Sequence, residues 1–220
     1  VMRLNEDGTI GEMTDEIFHK GIGSVAERNF RPHVNCVNIT PDQKYLCAVD
    51  LGVDQVKIYK FNDETGKITL VDMLRCELES APRIIKFSPD GRFAYLICEL
   101  KNYISVYSYK DGPRGPVFEL VQTISTLNEY HSKGSAACVL RFSRDWNYVL
   151  CSNAGDNSIG IFKIDRETGM LEKICILPIS GDYPKAADFF PDNRHIMSLN
   201  HETNTMTIFK INYEKKYFSM

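Results

Sequence analysis

His33, Asp50, Arg83, Glu99 and Lys185 are ionisable residues whose placement along the chain could support chemistry. Each stands at an end of a short apolar run. His33 precedes Val34 to Ile39 and Asp50 follows Tyr45 to Val49. Arg83 precedes Ile84 to Phe87 and Glu99 follows Phe93 to Cys98. Lys185 precedes Ala186 to Phe190, and Asn200 follows His195 to Leu199. If each pair of runs forms an antiparallel hairpin, the residue entering the first strand and the residue leaving the second lie at the same end. His33 is then beside Asp50, Arg83 beside Glu99, Ser135 beside Asn153, and Lys185 beside Asn200. Such a convergence at a concave mouth suits a small anionic or hydroxylated molecule. Each residue also has a plainer reading. Asp50 and Asp54 are suited to capping turns through side-chain to backbone bonds. Arg83 and Glu99 could form a rim salt bridge, and His33 could be a packing histidine. Asn153, Asn157 and Asn200 taken singly read as turn residues.

The elements that must position these residues recur along the chain. Asp50 to Phe61 is a polar turn feeding an alternating strand, and the pattern returns at Asn102 to Tyr109, Asn157 to Ile164 and Asn204 to Ile211. The anchoring aromatics Tyr59, Tyr107, Phe162 and Phe209 are 48, 55 and 47 residues apart. Upstream in each repeat, Pro41-Asp42, Pro89-Asp90, Arg144-Asp145 or Pro191-Asp192 separates two apolar runs, as in a hairpin. A fourth strand follows Glu64-Thr65-Gly66 or Glu167-Thr168-Gly169. A unit is therefore a four-stranded antiparallel meander of roughly 40 to 50 residues, the size of a propeller blade. One such sheet cannot bury both its faces, whereas radial stacking can. A β-sandwich would not need the same turn chemistry at every period, and no long stretch keeps a helical apolar stripe. The fold class is all-β, a β-propeller.

Taken in order, Val1 to Met13 resembles the outer strand pair of a blade, and residues 14–31 read as a long polar inter-blade loop. Blades follow at about 32–76, 82–124 and 135–177, and a last set of strands spans about 184–211, ending after a third strand. Asn128 to Gly134 is an exposed loop between blades. These units form one partial propeller domain over 1–220, with about four and a half blades. Propellers close with four to eight blades, so the chain is expected to be a piece of a larger ring and to self-associate through unpaired strand edges.

Composition narrows the classes of function. The 220 residues are 43% hydrophobic and 25% charged with a formal net charge of −3, and no basic cluster suggests a nucleic-acid partner. Lys215-Lys216 reads as a solvated tail. No apolar stretch has the length of a membrane span or a signal segment. The seven cysteines sit in or beside apolar runs without Cys-x-x-Cys spacing. They read as buried thiols in a reducing compartment, which predicts a cytoplasmic protein. The five histidines are scattered without ligand spacing, so no metal site is expected.

Arg31-Pro32-His33, Asp50-Leu51-Gly52-Val53-Asp54, Pro82-Arg83, Phe87-Ser88-Pro89-Asp90-Gly91, Tyr95 with Glu99-Leu100, and Ser152-Asn153 with Gly155-Asp156-Asn157-Ser158-Ile159 occur in this order. As a set they resemble the seven-bladed propeller lactonases, which include propeller-type 6-phosphogluconolactonases and carboxymuconate lactonising enzymes. The resemblance runs through nearly the whole chain. It implies that about two and a half N-terminal blades are missing, that the activity is hydrolysis of a sugar-acid lactone in carbohydrate metabolism, and that no cofactor is used. The family's proposed catalytic residues match His33, Arg83 and Glu99, and Asp50, Asn153, Asp156 and Lys185 become candidates for holding an anionic lactone or sugar acid. The sequence departs from the family at Ala154, where a second arginine is expected, and at Asn35, where other members have a histidine. Ala154 reads as part of a turn at a solvent-filled rim that would tolerate arginine, with Lys185 as partial compensation.

Lactone hydrolysis needs a base to activate water, a donor near the carbonyl oxygen and an acid for the ring oxygen. Glu99 or His33 could be the base, and the sequence does not decide between them. Arg83 would steady the oxyanion or grip a substrate carboxylate or phosphate. The loss of arginine at Ala154 keeps a second reading open, a non-catalytic propeller binding a sugar acid or a protein at the same rim.

Overall fold

The computed structural model describes residues 1–24, 30–131, 133–213, 215 and 217–220. Part of the expected inter-blade loop (25–29), one position of the Asn128 to Gly134 loop (132) and Lys216 of the terminal basic pair lie outside the described residues. The strands are β1 (Met2–Leu4), β2 (Ile10–Met13), β3 (Val34–Ile39), β4 (Tyr45–Asp50), β5 (Gln55–Asn62), β6 (Lys67–Arg75), β7 (Pro82–Phe87), β8 (Phe93–Cys98), β9 (Tyr103–Gly112), β10 (Gly115–Ser125), β11 (Ala137–Phe142), β12 (Tyr148–Asn153), β13 (Ser158–Ile164), β14 (Leu171–Pro178), β15 (Pro184–Phe189), β16 (His195–Asn200), β17 (Thr205–Asn212) and β18 (Tyr217–Ser219). β1 and β2 pair as a hairpin, and the others form four antiparallel sheets of four strands in chain order, the blades of a partial propeller. The last sheet departs from expectation. The short β18 supplies its fourth strand through Lys210↔Ser219, Ile211↔Phe218 and Asn212↔Tyr217.

Stacking of the sheets follows from the period-two alternation of their strands. Every residue of β8 is buried. Ala94, Leu96 and Cys98 enter the core shared with the first sheet, while Phe93, Tyr95 and Ile97 enter the core shared with the third. A strand buried on both faces is what a middle blade requires, and each fully buried large apolar side chain contributes about 1.5–3 kcal/mol. The last sheet buries Ile196, Phe209 and Ile211 against the third, but leaves Leu199, Met206 and Ile208 on its far face in solvent.

First strands of successive sheets lie side by side. Asn35 and Asn38 of β3 donate side-chain N–H bonds to the Arg83 and Ile85 carbonyls of β7, both at 3.1 Å. Arg83 reaches the Cys138 carbonyl of β11, and Arg141 of β11 meets Asp188 of β15 at 3.2 Å. The first strand of each blade is therefore the innermost, and the ends where the inner hairpins open share one rim.

Two repeated devices hold the blades. In the inner hairpins Thr40, Ser88 and Ser143 donate to Asp42, Asp90 and Asp145, each at 2.6 Å, and their oxygens accept the N–H of Tyr45, Phe93 and Tyr148. At the opposite end Asp54, Asn102, Asn157 and Asn204 all adopt left-handed φ of 51–54°, a region that Asp and Asn tolerate better than most residues. Three of these clamp the segment leading to the next blade. Asp54 accepts from Glu79 N and Ala81 N, Asn102 donates to Ser135 O, and Asn157 accepts from Tyr183 N. Asp54 and Asn157 are thus structural, as their plainer reading held.

Candidate functional site

Two backbone features build the site. Each inner hairpin carries a β-bulge at one equivalent place, between Val34 and Cys36, Pro82 and Ile84, Ala137 and Val139, and Pro184 and Ala186. The residues left without a ladder partner are Asn35, Arg83, Cys138 and Lys185. A bulge re-aims the side chain it carries, which gives Arg83 and Lys185 their place on the rim. Three residues before each left-handed Asp or Asn stand Leu51, Glu99, Ala154 and His201. Their N–H groups bond the carbonyls of His33, Ala81, Ala136 and Tyr183. The rim is therefore four copies of one arrangement filled with different side chains.

In the second blade that arrangement holds a charge pair. Arg83 Nη1 donates to Glu99 Oε2, and Arg83 Nε donates to the Cys138 carbonyl at 2.9 Å. Glu99 is almost wholly buried and Arg83 is half-buried. Both line an open cleft of about 560 Å³ together with Phe30, Arg31, Pro32, His33 and Leu51. The expected trio His33, Arg83 and Glu99 does meet in one cleft.

His33 is exposed, yet its backbone is pinned. Its N–H donates to Asp50 Oδ1 at 2.7 Å, and its carbonyl accepts from Leu51 N at 3.0 Å. Asp50 caps the 3₁₀ turn Leu51–Val53 by accepting from Gly52 N. Gly52 lies so close to the Arg31–His33 backbone that a Cβ there would stand 1.7 Å from the Arg31 carbonyl oxygen.

Four expected ligand residues stand differently from one another. Asp50 is fully buried, and its oxygens accept from His33 N, Gly52 N and His19 Nδ1, so it holds the turn instead of facing a ligand. Asn153 is also fully buried and donates to Thr126 O and Ser158 Oγ. Asp156 accepts from Ser158 Oγ at 2.7 Å. Lys185 is exposed, with its ammonium 5.3 Å from the centre of the Tyr183 ring. Ala154 is not at a solvent-filled rim. It is fully buried with Ala136, Cys138 and Val139, and Tyr183 packs over them.

The sequence reading passed over two residues. His201 is exposed at the position equivalent to Glu99, and counting three residues back from Asn204 would have found it. His19 lies in the segment read as an unremarkable polar loop, but its ring is buried between Asp50 and Tyr59. No periodicity marks it. Cysteine nucleophiles are disfavoured inside the sheets, where burial pushes the thiols of Cys47, Cys98 and Cys151 up to about 12.

The family model described as lactonase, 7-bladed beta-propeller, matches residues 1–218. A 6-phosphogluconolactonase of Bacillus subtilis is 28% identical over 210 residues, 96% of this chain and 59% of that protein. A structure of a Lactobacillus plantarum protein superposes with a TM-score of 0.88 at 28% identity, covering 100% of this chain and 62% of that one. The periplasmic gluconolactonase of Pseudomonas aeruginosa gives a TM-score of 0.90 at 25% identity, covering 100% and 61%. The chain thus spans about three fifths of the length of its relatives. The last of these overturns the cytoplasmic expectation, since a relative with this architecture is periplasmic. The physical reason is that Cys47, Cys98, Cys138 and Cys151, sealed inside strands, resist oxidation wherever they are, while Cys36, Cys76 and Cys175 are only half-buried instead of buried as expected, so cysteine usage here does not report the compartment.

Proposed function

Because the chain belongs to the seven-bladed β-propeller lactonase family, we propose that its cleft binds and hydrolyses the lactone of a sugar acid, as a 6-phosphogluconolactonase does in carbohydrate metabolism. The observation that carries this reading is the Arg83–Glu99 pair set beside His33 in one open cleft.

His33 is the solvent-facing imidazole of the cleft and is assigned the proton transfers. It takes a proton from the attacking water and returns it to the ring oxygen as the lactone opens. Arg83, fixed at Nη1 by Glu99 and at Nε by the Cys138 carbonyl, presents its remaining donors to the carbonyl oxygen as charge develops, or to an acidic group of the substrate. Glu99 is too buried to meet bulk water and acts by holding Arg83. Arg31 and Lys185 add positive charge to the rim, which favours an anionic lactone. The apolar far face of the last sheet, with Leu199, Met206 and Ile208 exposed, supports self-association of a polypeptide limited to these residues.

A second reading is that the cleft binds a sugar acid without hydrolysing it, favoured by the apolar Ala136, Cys138 and Ala154 at the rim positions of the third blade. The test is proton release from gluconolactone and its 6-phosphate, with spontaneous ring opening subtracted, using the polypeptide as its gene encodes it. Acceleration lost in His33→Asn is expected. No acceleration with either lactone, together with calorimetric binding of the open acids, would replace hydrolysis by binding.

A further inference from the structure

The segment entering the first four-stranded sheet delivers a buried imidazole to the back of the cleft. His19 Nδ1 lies 2.6 Å from Asp50 Oδ2, and Tyr59 Oη lies 2.9 Å from His19 Nε2. Both the His19 and Asp50 side chains are shut off from solvent. A nitrogen facing a carboxylate carries a proton, so Nδ1 donates to Asp50. The other Asp50 oxygen accepts the N–H of His33 at 2.7 Å and that of Gly52 at 3.1 Å. A chain of bonds therefore runs from Tyr59 on β5 through His19 and Asp50 to the backbone of His33.

Sealing a carboxylate away from water is costly unless donors satisfy both of its oxygens. His19 supplies the donor for Oδ2. Without it, Asp50 must draw in water or turn, and turning releases the His33 amide. The segment carrying His19 is itself anchored at Asp15, which accepts from Ile68 N at 2.9 Å, and at Thr14, which donates to Gly66 O at 3.0 Å. The ring is thus held by Asp50 and Tyr59, and the segment before it by the turn and start of β6.

We propose that His19 is a positioning residue of the cleft, which fixes the His33 backbone through Asp50 without touching the ligand. The consequence for turnover rests on the lactonase reading; the consequence for the His33 amide does not. Three variants of the protein as its gene encodes it separate the possibilities. His19→Leu removes the donor to Asp50, His19→Asn restores one at about the place of Nδ1, and His33→Asn removes the imidazole that is being positioned.

Amide hydrogen exchange at His33 should quicken in His19→Leu by about tenfold or more, the effect of losing one hydrogen bond to a charged group, and return toward wild type in His19→Asn. In the lactone assay His19→Leu should lower kcat more than it changes KM, and it should have no further effect in the His33→Asn background, because coupled residues are not additive. Unchanged protection of the His33 amide in folded His19→Leu would overturn the proposal. So would an equal, additive loss of turnover in the His33→Asn background. If the wild type hydrolyses no lactone, the functional reading fails while exchange at His33 still decides the positioning role.

Discussion

Gly52→Ala tests the geometry of the cleft most directly, because the glycine touches no candidate catalytic side chain. A Cβ at this position would stand 1.7 Å from the Arg31 carbonyl oxygen and 2.9 Å from the His33 nitrogen. An ordinary carbon-to-oxygen contact is about 3.3 Å, so the Arg31–His33 backbone must retreat by roughly 1.5 Å. The neighbours in conflict are backbone atoms and cannot rotate aside. Overpacking of this kind costs about 1–3 kcal/mol of stability, and a misplacement of about 1 Å can cost 10²-fold in rate. Gly155→Ala is the internal control. Its Cβ would meet Gly134 O at 2.7 Å and Ser135 Cα at 3.0 Å in the third blade, where the position equivalent to His33 is Ala136 and offers no imidazole to displace. Both variants should lose stability by calorimetry, but only Gly52→Ala should lose kcat/KM per folded molecule, by about 10²-fold. A folded Gly52→Ala protein that hydrolyses lactone at the wild-type rate would refute the claim that the placement of His33 matters.

Glu99→Gln leaves an acceptor for Arg83 but removes the charge, so kcat should fall by about 10²-fold; an unchanged kcat in the folded variant would show that the charge holding Arg83 does not matter to turnover. Ala154→Arg should destabilise the protein by about 1–3 kcal/mol without raising turnover, because the side chain must displace Tyr183 from Ala136, Cys138 and Val139; a gain in kcat/KM would show that the wall opens. The hairpin turns should also limit acid stability. Burial pushes the Asp145 carboxyl up, but hydrogen bonds from Ser143 and Asn147 outweigh it, and bonds from Arg194 N and His195 hold Asp192 down at about 2. A carboxyl lowered in the folded state contributes stability above its unfolded value of about 3.9 and loses it as pH falls through the folded value. Asp192→Asn should therefore reduce the pH dependence of the melting temperature between about 4 and 2, and an unchanged slope would exclude this turn as a source.

Blade repetition was legible because it is written in residues with a single physical use. The Asp or Asn of each outer turn adopts a left-handed φ, and in the first three four-stranded sheets the Ser or Thr before Pro-Asp or Arg-Asp closes a hairpin. The nearness of His33 to Asp50 and of Arg83 to Glu99 followed from antiparallel pairing alone. What did not follow was the direction each side chain takes. The bulge that aims Arg83 and Lys185 falls on Asn35 and Cys138 in the other blades, and these four residues share no chemistry that would reveal it. Asp50 was placed correctly, but the choice between its capping and ligand readings was not legible, because its three donors come from His33, Gly52 and His19, the last more than one strand away in sequence. The burial of Ala154 depends on Tyr183 of the following blade, a contact that no local pattern encodes.

The repeat explains why the site is where it is, and the departures from the repeat explain what it can do. At the position before each inner strand the blades carry His33, Ala81, Ala136 and Tyr183; at the bulge, Asn35, Arg83, Cys138 and Lys185; after the second strand, Leu51, Glu99, Ala154 and His201. The backbone bond between the first and third positions is the same in all four, from 2.8 to 3.0 Å, so the scaffold can exchange side chains at these places without altering its hydrogen bonding. A carboxylate at Glu99 is tolerable because the bulge beside it holds an arginine. An alanine at 154 is stable because a tyrosine from the next blade covers it. The imidazole at position 33 has no partner of the same kind within its own triplet, since Asn35 turns its side chain to the Arg83 carbonyl. Its backbone is bonded to Asp50 and, through Asp50, to a histidine that belongs to no repeat, so the residue assigned proton transfer under the proposed function is also the one tied to a non-repeating part of the chain.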